Sequence, residues 1–158
     1  MLRKYALVLA FVALAFSVAA IFNLGFISTP DQQPQNQPII ERTAMVNYVV
    51  DGDTIRIDDD EKVRLVGVDT PELDSSDIEE KMRAERAKEF VENLCLSDKV
   101  GLNVDDLEPR DRYGRTLAVV YVEIDNVWTN INAELLRLGF AEILYIPPSE
   151  FNPYKWMD

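Results

Sequence analysis

Five runs alternate apolar and polar residues, around Met45–Val50, Thr54–Ile57, Val63–Val66, Lys99–Val104 and Thr116–Ile124, and two segments of helical period are interleaved with them. That pattern predicts an α+β fold, a five-stranded OB-fold-like β-barrel with two or three helices. An uncharged apolar run near the start adds a hydrophobic helix ahead of the barrel. At 158 residues the chain has material for one soluble domain and its appendages.

Taken in order, Arg3 and Lys4 precede the uncharged stretch Tyr5 to Ile27. As a helix that stretch would be about 35 Å long, enough to cross the hydrocarbon core of a bilayer. Residues 1–28 therefore read as a signal-anchor, or as a signal peptide if cut near Ser17-Val18-Ala19. Retained, the basic flank stays in the cytoplasm and the domain is anchored to the membrane on the other side. Cleaved, the domain is secreted. Residues 29–42, rich in Pro, Gln and Asn from Thr29 to Gln37, read as a flexible linker, and 43–158 as the globular domain. A monomer is expected.

Within the domain, Thr54–Ile57 and Val63–Val66 pair as an antiparallel hairpin around the acidic turn Asp58–Lys62. A helix from Ile78 to Leu96 follows a polar loop, with Ser76-x-x-Glu79 and Asp77-x-x-Glu80 as alternative capping boxes. Its apolar stripe is Ala84, Ala87, Val91 and Leu94, and Cys95 beside it reads as a small buried residue with no disulfide partner. The charged loop Asp105–Arg115 joins the next two strands, and Gly114 would let the backbone turn so that Arg115 points back toward the hairpin. Asp125-Asn126 reads as a turn and Asn130–Leu138 as a second helix, with Ile131, Leu135 and Leu138 inward and Gly139 as its stop. Ala141–Tyr145 suits a last short strand, after which Phe151, Tyr154 and Trp156 would clasp the barrel.

The chemistry concentrates at the ends of the first hairpin. Asp51, Asp53, Asp69 and Glu72 converge there with Arg64. Convergent carboxylates repel unless a cation lies between them, and a hard divalent cation with oxygen ligands suits such a set. The chain has no histidine and one cysteine, which excludes a Ser-His-Asp triad, a Cys-His pair and a zinc site. Acid–base work then falls to carboxylates, and phosphate contact to arginine, lysine or metal. An EF-hand does not fit, because no glycine follows Asp51 and Asp53 at the required place. Singly, Asp-Gly is an ordinary turn and Asp-Thr-Pro-Glu an ordinary loop or helix start. The whole set, with Tyr113-Gly114-Arg115 further on, carries more. Against nucleic-acid binding stands the charge, 16 Lys+Arg against 28 Asp+Glu and a net −12, since such binders are usually basic. Net charge governs encounter and solubility, whereas local groups govern chemistry.

The segments Val50-Asp-Gly-Asp-Thr54, Arg64-Leu-Val-Gly-Val-Asp-Thr-Pro-Glu72, Asp111-Arg-Tyr-Gly-Arg115 and Asn132-Ala-Glu-Leu-Leu-Arg-Leu-Gly139 together resemble the thermonuclease (staphylococcal-nuclease-like) family. The resemblance runs from about Met45 to Ile146. It implies an OB-fold barrel and hydrolysis of phosphodiester bonds in DNA and/or RNA with Ca2+. It further implies that Asp53, Asp69 and the Thr70 carbonyl hold the metal, with Asp51 on its water shell. Arg64 and Arg115 would grip phosphate, Glu72 would orient or deprotonate water, and Arg112, Tyr113 and Tyr145 would contact substrate. Two departures are the short tail after Tyr145, where a third helix is usual, and Pro147, where another tyrosine is frequent. The alternative is a non-catalytic nucleic-acid- or protein-binding module on the same barrel, as in relatives that have lost these residues.

Overall fold

The computed structural model describes residues 37–157; the expected hydrophobic helix and the linker up to residue 36 lie outside them. The elements are β1 (Arg42–Val49), β2 (Thr54–Ile57), β3 (Glu61–Leu65), β4 (Gly67–Asp69), α1 (Ile78–Cys95), β5 (Lys99–Val104), β6 (Thr116–Ile124), β7 (Val127–Asn130), α2 (Ile131–Arg137) and β8 (Glu142–Leu144), followed by a 3-10 turn at Pro153–Trp156. Strands β3, β2, β1, β5 and β6 lie side by side, and a parallel β3–β6 pairing closes them into a five-stranded barrel. The predicted barrel is thus present. β7 extends the sheet beyond β6, and β4 and β8 form a separate antiparallel ribbon.

Antiparallel meander pairing follows from the short turns. Between β2 and β3, Asp58 and Asp60 take positive φ of 41° and 77°, which short polar side chains tolerate better than branched ones. Ile55, Ile57, Leu65, Leu102, Ile131 and Leu135 are fully buried in the single core of the described domain. Each such side chain contributes about 1.5–3 kcal/mol by leaving water. Val100 and Val122 face each other across β5–β6 in the same core.

Several boundaries differ from expectation. Neither capping box closes on α1: Asp77 accepts from Glu79 N at 2.9 Å, while Glu80 accepts from Ser75 Oγ at 2.7 Å. β7 had no counterpart in the sequence reading. It pairs with β6 through a turn in which Asp125 and Asn126 have φ of 51° and 65°, the twist that suits a two-residue hairpin. α2 starts at Ile131 with Asn130 as its cap. It buries Ile131, Asn132, Leu135 and Leu136, whereas Leu138 is exposed because the helix ends at Arg137 and the chain turns away. In the tail, Trp156 packs on the core and Phe151 is half-buried, but Tyr154 is exposed and no part of a clasp. The four-residue 3-10 turn occupies the place of a third helix.

Candidate active site

The sequence Asp51-Gly-Asp53-Thr54 turns tightly into β2, and Val68-Asp69-Thr70 leaves β4 beside it. Gly52 permits the approach: a Cβ there would lie 2.7 Å from both Ala87 Cβ on α1 and Thr70 Cγ2. Thr70, itself buried, donates to Asp53 Oδ2 through its backbone N at 2.9 Å and its hydroxyl at 3.0 Å. Asp53 Oδ1 accepts from Thr54 Oγ1 at 3.0 Å and lies 3.1 Å from Arg64 Nε. Asp53 is therefore a buried carboxylate held in place by Thr54, Arg64 and Thr70.

Arg64 is the cation between the carboxylates. Its Nη2 donates to Asp69 Oδ1 at 3.0 Å, and its Nη1 donates to the carbonyls of Leu65 and Val68, each at 2.8 Å. A guanidinium has five N–H groups; three are used in these bonds, Nε faces Asp53 as an ion pair, and the second Nη2 N–H is uncommitted. Asp69 keeps 55% of its side chain exposed. Burial still raises its pKa, Arg64 lowers it, and Asp53 and the cross-strand Glu142 raise it again, for a net upward shift. Asp51 accepts from Asp53 N at 3.1 Å, and burial, then the Asp53 charge, pushes its carboxyl up to about 6. Negative charge here exceeds what one arginine offsets.

Arg115 reaches the same place from the other side. The parallel register sets Arg64 opposite Leu117 and Val63 opposite Thr116, which delivers Arg115 to the seam of the barrel. Gly114, at φ +78°, makes the turn that a side-chain-bearing residue would resist. Arg115 Nε donates to Asp111 Oδ2 at 2.7 Å, and Nη1 lies 3.5 Å from Thr54 Oγ1, itself hydrogen-bonded to Asp53. Burial would raise the Asp111 pKa, but the hydrogen bonds from Arg115 outweigh it and hold the carboxyl below its ordinary value. The Tyr113 ring lies beneath both arginines, 4.9 Å from Arg112 Cζ and 5.5 Å from Arg115 Cζ.

A cleft of about 400 Å³ adjoins the carboxylate cluster through Arg64, which lines it. Arg64, Arg112, Tyr113, Arg115, Tyr145 and Phe151 are among the residues that line it. Arg64, Arg112, Tyr113, Arg115 and Tyr145 thus share one cleft. Asp51, Asp53, Asp69 and Thr70 form a second group joined to it through Arg64. Glu72 is exposed on the loop after Thr70, with no hydrogen bond to the cluster among the described residues. Three residues escaped the sequence reading. Asp111 orients Arg115, and its i,i+4 spacing to that arginine was the available signal. Asn132, buried on α2, donates to Val66 O at 2.8 Å and accepts from Val120 N at 3.0 Å, tying the helix to the closing strands. Asp105, fully buried, had only its place before a turn to mark it.

The donors can be tested against a metal. Among the described residues no three His, Cys, Asp or Glu side chains meet around one point. What remains is two carboxylates bridged by Arg64, a flanking Asp51 and the backbone oxygen of Thr70, all hard oxygen donors. A hard cation held by a few protein oxygens and completed by water fits that set. A soft or imidazole-seeking metal does not.

Residues 62–157 match the model of the family described as Staphylococcal nuclease homologue. This chain belongs to the staphylococcal nuclease homologue family. It is 38% identical over 109 residues to the Thermonuclease of Staphylococcus intermedius, covering 67% of this chain and 62% of that protein. It is 35% identical over 121 residues to the Thermonuclease of Staphylococcus hyicus, covering 75% and 66%. With Endonuclease YncB of Bacillus subtilis it shares 31% over 121 residues, covering 75% and 54%. The chain thus spans about two thirds or less of the length of these relatives of the staphylococcal nuclease homologue family.

Proposed function

We propose that this chain is a calcium-dependent nuclease that hydrolyses phosphodiester bonds of DNA and/or RNA. The observation that carries the reading is the meeting of Arg64 and Arg115 across the β3–β6 seam, at the edge of a cleft and against the Asp53–Asp69 carboxylates. Membership of the staphylococcal nuclease homologue family and the names of its relatives support the same reaction class.

Asp53, Asp69 and the Thr70 carbonyl would hold calcium, with Asp51 hydrogen-bonding its water shell. Bound there, the ion supplies a Lewis acid toward a phosphate oxygen. Arg115 donates to the non-bridging phosphate oxygens, and Asp111 holds its guanidinium at the angle from which a fork can grip them. Arg64 contributes an uncommitted N–H and a fixed positive charge, which offsets the negative charge on the non-bridging phosphate oxygens during attack. Glu72, exposed and unencumbered, orients the attacking water and takes its proton. Arg112 and Tyr113 hold a flanking phosphate, and the Tyr145 ring faces a base. The 1–28 segment would keep the domain on the outer side of a membrane, or release it after cleavage, as a monomer.

The test is degradation of plasmid DNA and of RNA by the full chain in detergent, with calcium and then with chelator. Cleavage that stops on chelation and returns with calcium supports the proposal. No cleavage, or cleavage indifferent to chelator, overturns it.

A further inference from the structure

Asp105 is fully buried at the end of β5, yet it lies outside the carboxylate cluster and takes no part in the reaction just described. Oδ1 accepts from Leu107 N at 3.0 Å and Glu108 N at 3.3 Å, fixing the first turn of the loop that runs on to Asp111 and Arg115. Oδ2 accepts a hydrogen bond from Ser149 Oγ, a residue 44 positions later in the tail. Oδ1 serves both segments and Oδ2 the tail alone, since Oδ1 also accepts from Glu150 N at 3.4 Å. Around that bond the two segments are laced together. Phe151 N donates to Ser149 Oγ at 3.2 Å, Asp106 N donates to Glu150 Oε1 at 2.8 Å, and Tyr145 OH lies 3.4 Å from Ser149 O. Asp105, Ser149, Tyr145 and Phe151 all line the cleft that Arg115 also lines.

From this arrangement we infer that Asp105 and Ser149 form a latch that positions the tail segment bearing Tyr145 in the cleft it shares with Arg115, and so set how tightly substrate is held. The inference rests on the proposed function in taking that cleft to be the substrate cleft. Among the bonds that tie this segment to the loop, those to the buried Asp105 carboxylate are the ones shielded from water. The stretch after β8 carries two prolines and no regular structure before its 3-10 turn, so few backbone bonds hold it. A hydroxyl on a desolvated carboxylate is among the stronger neutral-to-charged hydrogen bonds. Without it the wall samples many positions, and substrate must gather it in again. That cost falls on binding, not on the chemical step, because neither residue touches Arg64, Arg115 or the carboxylates that would hold the metal. Asp105 and Ser149 are positioning residues.

The test is a mutant cycle on the full chain. Ser149→Ala should raise KM for a single-stranded oligonucleotide by about tenfold and leave kcat within about twofold, the split expected when ground-state binding alone is lost. Ser149→Thr, which keeps the hydroxyl, should restore KM. In a Tyr145→Ala background, Ser149→Ala should add little, since both act on the same contact. Hydrogen exchange of the amides from Tyr145 to Phe151 gives a readout independent of activity, and Ser149→Ala should accelerate it while α1 stays protected. Unchanged exchange and unchanged KM in Ser149→Ala, or fully additive effects with Tyr145→Ala, would overturn the latch. If the wild-type chain cleaves nothing, the nuclease proposal falls, and the exchange data still decide whether Ser149 tethers the wall.

Discussion

Arg64 and Arg115 approach the same point from the two sides of the barrel seam, but the chain holds them in different ways. Arg64, on a strand, leaves 11% of its side chain exposed and is bound to two carboxylates and two carbonyls. Arg115, at the end of a loop, leaves 27% exposed and is held by one carboxylate, Asp111, and a long contact to Thr54. The strand-borne half of the site uses its cation to keep a buried anionic cluster together. The loop-borne half keeps its cation free on one side. Residue type is the same in both, so the division of labour comes from burial and from the number of donors already committed.

That comparison is broken most severely at Arg64. Arg64→Ala leaves Asp53 buried without its counter-charge, and removing one partner of a buried pair costs about 3–5 kcal/mol. Chemical denaturation should show a stability loss of that size, and Arg115→Ala assayed alongside should show much less. Equal losses would mean that the two arginines are held alike. Next in size, Arg115→Ala and Glu72→Gln should each lower turnover by about 100-fold or more, as expected for a lost transition-state donor or water-positioning group. Calcium titrations of both variants should stay near wild type. Near-native rates in both would remove Arg115 and Glu72 from the chemistry.

A smaller effect concerns the carboxylates that Arg64 offsets only in part. A cation that binds the folded cluster alone should stabilise it by about 2.7 kcal/mol at 100 times its dissociation constant. Thermal melts with calcium and with chelator measure this, and Asp53→Ala should abolish the shift. A shift that persists in Asp53→Ala would place the ion elsewhere. The smallest effect sharpens the loop side. Because Asp111 has its pKa lowered by Arg115, its contribution is present above the ordinary carboxylate value and is lost as pH falls through the folded one. The stability gap between wild type and Asp111→Asn should be constant from about pH 5 to 7 and shrink below about pH 4. A gap independent of pH would mean that the Asp111–Arg115 pair contributes nothing through charge.

Much of the strand-borne half was legible in the residues themselves. Alternation gave β2, β3, β5 and β6, the spacing of Ala84, Ala87 and Val91 gave α1, and Gly114 and Gly139 sit at the positive φ where a turn and a helix stop were expected. Local rules suffice there because period, turn chemistry and glycine act over a few residues. β7 was missed because four residues, three half-buried and Val127 exposed, directly before a helix offer too short a pattern to read. Leu138 fell off its helical stripe because the end of α2, not the spacing, decided its direction.

The sequence by itself determined the donor chemistry: oxygen and guanidinium groups only, with histidine absent from the whole chain. It predicted Asp53 and Asp69 at neighbouring ends of one hairpin, whereas Asp69 ends β4 in the separate ribbon with β8 and is brought to Asp53 through Arg64. Tertiary structure decided what those groups do to one another. The parallel pairing of β3 with β6 joins strands 50 or more residues apart and sets Arg64 beside Arg115. The antiparallel β4–β8 ribbon sets Asp69 opposite Glu142 and carries Tyr145 to the cleft. Which carboxylates Arg64 would take, and that Asp105 would reach Ser149, depend on such long-range closures. Hydrogen-bond donors and acceptors are chosen by distance and burial in three dimensions, and neither quantity is encoded in the local pattern that makes a strand or a turn.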